Sequence, residues 1–405
     1  MDLFHGEPMF GAVRQMTHAL AEQEIRPIAA LHDRDESMPW DLMKKASSFG
    51  LSQTAMLDTR RITGDADDRG DKGGERKPGR AARVAVVGAE ELAWGCAGIG
   101  LALAGSGLAA APVARIGSEE HKQIFLRALK GVDEAGHIKV AAMALSEPQT
   151  GSDISSLATG ARRDGDHWVL NGHKQWITNG RSASIYVVWA QTDASLGRGG
   201  VRGFLVERGT PGLVPGRKET KLGIRASETA QVHFEDCRVH KDLMLGADRV
   251  SEGLGDTKKM LDATRPAVGA QAVGIARAAF EYLLERVRGG SLRGKPLAGH
   301  QHIAFALAEM EMEIQASRLL VHRAAWMADH AMDNVAFASM GKAHAARTAQ
   351  AVTTRALALL GDETLEPGHP VEKWYRDAKI YDIFEGTGQI QRRIIAKTLT
   401  GLNAV

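Results

Sequence analysis

The chain has 405 residues, with 51 Lys plus Arg against 49 Asp plus Glu, a formal charge of only +2. That balance lacks the concentrated basic excess of a nucleic-acid binder and sets no bar to a small or acidic ligand. Hydrophobic residues at 44%, charged residues at 25% and a cysteine set of only Cys96 and Cys237 exclude a disordered or disulfide-stapled chain and leave two or three globular domains with reduced thiols.

Met1 is followed by Asp2, His5 and Glu7 rather than a basic start and an apolar run, so no secretory leader is expected and a cytoplasmic location is. Phe10 to Ile28 carries apolar residues at helical spacing, with Pro27 near its expected end. Residues 58–83 break the pattern: 14 of these 26 are charged, five are Gly, and Ile62 is the one large aliphatic side chain. Such a stretch buries too little apolar surface to offset its ordering entropy, so a mobile surface loop is expected.

Arg83 to Gly88 (RVAVVG) looks like the first strand of a dinucleotide-binding fold, but Glu90 and Glu91 stand where pyrophosphate would approach. A helix over 84–114 is expected instead. Leu92 to Ala114 is 23 residues without a charge, long enough for a bilayer. Its eight Ala and five Gly point to one or two tightly packed core helices, and no membrane span is expected. Ser118 to Leu129 reads as a further helix, opened by Ser118.

From about residue 139 the period changes. Val140 to Leu145, His167 to Asn171, Ile185 to Ala190, Val201 to Glu207 and Ala230 to Phe234 are short β-type runs, separated by turns such as Asn171-Gly172 and Asn179-Gly180. From about Asp248 the helical period returns, with long amphipathic stretches at Ile303 to Ala331 and Val335 to Leu360. The expected architecture is α+β and multidomain: an N-terminal helical part over 1–139, a middle antiparallel β-sheet or barrel over 140–247, and a C-terminal helical bundle over 248–405.

Three segments carry chemistry. In Ala144 to Asp153 (ALSEPQTGSD), Ser146, Thr150, Ser152 and Asp153 offer small polar groups in a turn that suits a phosphate or a heteroaromatic ring, or equally an ordinary hydrogen-bonded turn. In Asn171 to Gly180 (NGHKQWITNG), Trp176 and Thr178 are two apart on a strand, placed to stack on a flat cofactor and bond its edge. A core tryptophan is the plainer reading of the same pattern. In Trp374 to Arg392, Glu385 follows Ile380, Tyr381, Ile383 and Phe384 and precedes Gly386. A carboxylate held against apolar neighbours has a raised pKa, which suits a general base, whereas a solvated helix-end Glu would not. His300 and His302 are two apart on a helical pattern and diverge, so no metal site is expected.

Taken together, LSEPQTGSD, NGHKQWITNG, KLGIRASETAQVHFEDCRV, LDATRPAVGAQAVGIA and AKIYDIFEGTGQIQR, in this order, resemble the acyl-CoA dehydrogenase family of flavoproteins from about Ala141 to Leu399. The resemblance implies a C-terminal four-helix bundle, an FAD cofactor, an acyl-CoA substrate, an electron-transfer flavoprotein as acceptor and a homotetramer or homodimer. It implies that Glu385 removes the α-proton of the thioester while the β-hydrogen leaves as hydride to flavin N5, giving a trans-2-enoyl thioester. Some members carry the base at the position of Thr264, which cannot do that work. By the same matching Leu145, Ser146, Trp176 and Thr178 line the flavin ring, and Ser152 lies near the pyrophosphate and the CoA arm. Thr387 and Gln389 hold the FAD backbone, Asp262 and Arg265 lie beside the pantetheine and the base, and the Glu385–Gly386 backbone meets the thioester. A cation at Arg265 favours the ionised form of Glu385.

Two segments depart from the family pattern. Gly290 and Arg293 stand where an Arg and a Phe usually reach the neighbouring subunit's FAD, and Gly361-Asp362-Glu363-Thr364-Leu365 replaces a glycine-rich loop. These departures leave a homo-oligomer that binds FAD weakly or through substitutes, or a flavin-poor acyl-CoA-binding or partner subunit of a mixed assembly; a relative that uses O₂ or a carrier-protein thioester is a separate alternative.

Overall fold

The computed structural model describes residues 8–48, 79–246 and 254–403, with side chains of the last stretch described from Thr264 onward. Residues 58–78 of the loop expected over 58–83, and the side chain of Asp262, lie outside these described residues.

The N-terminal part is helical. Helix α1 (Pro8–Leu20) runs through a π turn (Ala21–Ile25) into α2 (Arg26–Arg34). Pro27 therefore does not end a helix. It sits in the first turn of α2, where its missing N–H costs nothing. Helix α3 (Trp40–Ser48) follows, then α4 (Ala81–Ala104), α5 (Gly107–Ile116) and α6 (Glu119–Ala128).

RVAVVG is helical, not a strand, and Ala81–Arg83 of the expected loop form the first turn of α4. Helix α4 is long and apolar enough to cross a membrane, yet 72% of its apolar window is buried within the molecule. It breaks at Cys96, whose φ of −165° and ψ of 119° are extended. Ser118 caps α6: its hydroxyl accepts from the His121 N–H, and the Ser118 N–H donates to His121 Nδ1. That leaves Nε2 of His121 as the donor to the Asp242 carbonyl at 2.6 Å, tying the helical part to the end of the sheet.

Seven strands form the middle: β1 (Ala141–Ala144), β2 (Gly160–Asp164), β3 (His167–Thr178), β4 (Ile185–Gln191), β5 (Val201–Glu207), β6 (Leu213–Lys218) and β7 (Thr229–His240). Their order is β1-β4-β2-β3-β7-β6, with β5 also on β4. Most pairings are antiparallel. The contacts of β4 with β1 and, at one residue, with β2 are parallel. Strand β4 is buried along nearly its whole length because its alternate residues serve two cores. Tyr186, Val188 and Ala190 point into the curl of the sheet, and Ile185, Val187 and Trp189 meet Ala109, Val113 and Phe125 of α5 and α6.

The C-terminal part contains α7 (Leu254–Gly289), α8 (Gln301–Asp329), α9 (Val335–Leu360), α10 (Pro370–Ala378) and α11 (Gly388–Thr400). A hairpin, β8 (Ser291–Leu292) with β9 (Lys295–Pro296), links α7 to α8. It turns through Arg293 and Gly294, both at positive φ. Helices α4 and α7 cross closely enough that a Cβ at Gly274 would lie 2.2 Å from the Glu90 carbonyl oxygen.

Candidate active site

Two groups of side chains carry the candidate chemistry, one on the sheet and one where the bundle turns before α11. On the sheet, β3 has an extra residue between Lys174 and Ile177 relative to β7. That bulge holds Trp176 at φ +63° and re-aims its ring outward. Trp176 is 56% exposed, so it is not a core tryptophan. Thr178 closes the same strand against the joint of α4 and α5, where a Cβ at Gly105 would lie 3.2 Å from Thr178 Cγ2.

The loop after β1 is fastened to this bulge. The Gln175 N–H donates to the Ser146 carbonyl at 2.9 Å, and Lys174 Nζ donates to the Leu145 carbonyl at 3.0 Å. Lys174 also meets Glu147 at 2.7 Å, both buried, and Glu147 accepts the N–H groups of Ala158 and Thr159. Burial drives Lys174 down to about 8, while Glu147 beside it pulls the other way. The buried ion pair thus ties Leu145 and Ser146 to the stretch of β3 that precedes Trp176. Leu145 is buried, Ser146 partly so, and Ser152 is exposed at the rim. Next to Ser152, Asp153 accepts from both Ser155 and Ser156 and fixes the turn.

An exposed indole on a bulged strand whose neighbours Lys174 and Gln175 are fastened to a polar loop fits a flat heteroaromatic ring such as that of FAD.

The second group surrounds Glu385. It stands at φ +56° and Gly386 at φ +87°, so two successive residues are left-handed. Any side chain at Gly386 would strike Gln391, whose Nε2 a Cβ would approach to 2.6 Å. Gln391 Nε2 donates to the carbonyls of Glu385 (3.3 Å) and Gly386 (3.0 Å), and Lys342 Nζ donates to the Gly386 carbonyl at 2.7 Å. The Thr264 hydroxyl donates to Glu385 Oε2 at 3.1 Å.

Burial raises the pKa of Glu385, and the Thr264 hydrogen bond and the charges of Lys342 and Arg265 oppose that rise. Arg265 is itself buried. Burial brings Lys342 down to about 8 against the pull of Asp382 and Glu385. Thr387 caps α11, its hydroxyl oxygen accepting from the Ile390 N–H at 3.2 Å, which leaves its O–H to donate. Gln389 is exposed in the first turn of α11.

Sequence reasoning missed Lys342, Gln391, the Lys174–Glu147 pair and the donor role of Thr264. The available signals were a lone Lys in an otherwise small and apolar helix stretch (Ser339 to Ala346, SMGKAHAA) and a Lys at an inward position of a strand. In the departing segments, Glu363 forms an ion pair with Arg286 of α7 at 3.4 Å. Arg288 and Arg293 are exposed.

A helical head, a curled sheet carrying the exposed Trp176, and a helical bundle with Glu385 at the turn before α11 make up an α+β architecture. The acyl-CoA dehydrogenase middle-domain model matches residues 142–237, and the acyl-CoA dehydrogenase C-terminal-domain model matches residues 251–400. The mitochondrial short-chain specific acyl-CoA dehydrogenase of Bos taurus is 39% identical over 387 residues, 95% of this chain and 88% of that one. Butyryl-CoA dehydrogenase from Megasphaera elsdenii superposes with a TM-score of 0.86 at 33% identity, covering 98% of this chain and 99% of that one. A glutaryl-CoA dehydrogenase from Mycobacterium smegmatis in complex with FADH2 superposes at 0.83 with 26% identity, covering 99% and 98%. The chain belongs to the acyl-CoA dehydrogenase family, and it is an oxidoreductase acting on acyl-CoA.

Proposed function

We propose that this protein is an FAD-dependent dehydrogenase that converts a short-chain acyl-CoA thioester to the trans-2-enoyl-CoA, with Glu385 as the base. The observation that carries the reading is Glu385 itself: a carboxylate in a left-handed turn, its pKa raised by burial, bonded by the Thr264 hydroxyl, with Lys342 on the adjacent Gly386 carbonyl. The short chain is inferred from the Bos taurus and Megasphaera elsdenii relatives.

In this reading Glu385 takes the α-proton onto its carboxylate, and its backbone N–H faces the thioester carbonyl, where negative charge develops. Arg265 and Lys342 stabilise the ionised form before the proton moves, and Thr264 holds the carboxylate on one oxygen. Trp176, Leu145, Ser146 and Thr178 hold the flavin ring. Thr387 and Gln389 hold the rest of FAD, and Ser152 and Asp262 serve the CoA arm. When bound, FAD supplies the acceptor for the β-hydrogen and its electron pair.

An electron-transfer flavoprotein as the next acceptor and a homotetramer as the assembly belong to the same proposal. Exposed Phe305, Met312, Leu319 and Trp326 recur every seventh residue along α8, an apolar stripe suited to another copy. The cytoplasmic location also stays a proposal, in keeping with two buried free thiols.

The experiment is anaerobic addition of butyryl-CoA to the purified, FAD-loaded protein. The reading expects bleaching of the flavin absorbance and one equivalent of trans-2-enoyl-CoA. A protein that stays colourless after FAD addition but binds acyl-CoA would favour the flavin-poor partner subunit instead.

A further inference from the structure

We propose that Lys342 and Gln391 are positioning residues for the base: from α9 and α11 they grip the carbonyls of the left-handed Glu385–Gly386 pair and hold the carboxylate against Thr264. The inference rests on the reading of Glu385 as the base.

Three observations converge. Two successive left-handed residues, one of them not glycine, are strained backbone that persists only where the surroundings over-determine it. The Gly386 carbonyl accepts two donors, Lys342 Nζ at 2.7 Å and Gln391 Nε2 at 3.0 Å, and Gln391 also reaches the Glu385 carbonyl. Both donors are buried: Lys342 is 1% exposed and Gln391 0%. A lysine ammonium taken out of water costs free energy unless it is paired, so spending one on a single turn carbonyl is informative.

The two grips differ in kind. Gln391 is neutral and acts only on geometry. Lys342 brings a positive charge within reach of Glu385. The other charged groups facing it are Asp382 from the turn before Glu385 and Arg265 from α7. Arg392 of α11 crowds the same Gly388 as Asp382. Burial of Lys342 lowers its own pKa, which makes it sensitive to the carboxylates around it.

The test uses full-length, FAD-loaded protein carrying Lys342→Met, Lys342→Arg or Gln391→Leu. Isotope-edited infrared spectroscopy follows the carboxyl titration of Glu385, with Glu385→Gln as the blank, and steady-state assays give kcat and KM. Lys342→Met should move the titration to higher pH and lower kcat about tenfold with KM little changed. Lys342→Arg should recover most of both. Gln391→Leu should lower kcat without moving the titration. Should Lys342→Met fail to fold, Lys342→Gln keeps a donor and removes the charge, and it should still move the titration.

An unmoved titration in the charge-removing variant, or a change confined to KM, overturns the proposal. The infrared reading is made without turnover, so it stands even if Glu385→Gln proves fully active. That second result would overturn the assignment of the base instead.

Discussion

Around Glu385 opposing effects set the proton affinity of the carboxylate. Burial lifts its pKa, which strengthens it as a base but thins the ionised population at low pH. The Thr264 hydroxyl, Lys342 and Arg265 restore that population. Removing the hydroxyl in Thr264→Val should therefore shift the acid limb of kcat/KM to higher pH and lower activity on that limb roughly fivefold, in line with about 1 kcal/mol for one hydrogen bond. A pH–rate series reads this directly, and an unmoved limb would show that the Thr264 contact is idle. The raised pKa of Glu385 was legible in the sequence because Ile380, Tyr381, Ile383 and Phe384 stand before it and Gly386 after it. Thr264 was legible only as a residue unable to be a base; its place 121 positions away, as a donor to Glu385, is set by helix packing. Lys342 was illegible for a similar reason, since a lysine in an alanine-rich helix reads as solvated until the neighbouring helices enclose it.

Among the elements, the strongly patterned ones were legible and the irregular ones were not. β5 matches its apolar run residue for residue, and α9 spans Val335–Leu360 as its periodicity implies. β6 was missed because its Pro215 and Gly216 argue against a strand, yet it is an edge strand, where a missing N–H is tolerated. β2 was missed because Arg162, Arg163 and Asp164 give it little apolar alternation. The bulge that turns Trp176 outward leaves no signature in strand alternation, so the choice between a core and an exposed tryptophan needed the structure.

Helix crossing gives the element-scale prediction. Gly→Ala usually stabilises a helix by about 1 kcal/mol, but at Gly274 the added Cβ meets the Glu90 carbonyl at 2.2 Å and the Trp94 nitrogen at 2.9 Å. Gly274→Ala should instead destabilise by about 1–3 kcal/mol through forced separation of α4 and α7. Urea unfolding measures the sign, and a stabilised variant would refute the close crossing.

At the scale of the molecule, a charge of only +2 hides a buried network that fastens the helical head to the bundle. Glu90 meets Arg277 at 2.7 Å and Arg318 at 2.8 Å, and Glu91 pairs with Arg277 and with His18. These are the carboxylates that argued against a phosphate site in the sequence, and the structure gives them arginines instead. Burial works against ionising Glu90, but Arg318 and Arg277 outweigh it and hold the carboxyl at about 2. A depressed carboxyl stabilises the fold above its ordinary value of 4.5, and that contribution is lost as pH falls toward 2. Stability should therefore decline over this window by an amount on the order of 3 kcal/mol from Glu90 alone. Glu90→Gln, which takes the carboxylate from Arg318 while Arg277 keeps Glu91, should cost roughly 3–5 kcal/mol at neutral pH and flatten the acid decline. Denaturant midpoints taken across pH would expose the opposite result, an acid decline of unchanged slope in the variant.

The central claim is that Glu385 is the base, and the most direct measurement is rapid mixing of FAD-loaded Glu385→Gln with butyryl-CoA while flavin absorbance is recorded. The account predicts a variant that keeps its flavin and its thermal stability but does not bleach, and that no longer exchanges the α-protons of a bound acyl-CoA with solvent. Bleaching and α-proton exchange at the rate of the unmodified protein would contradict it.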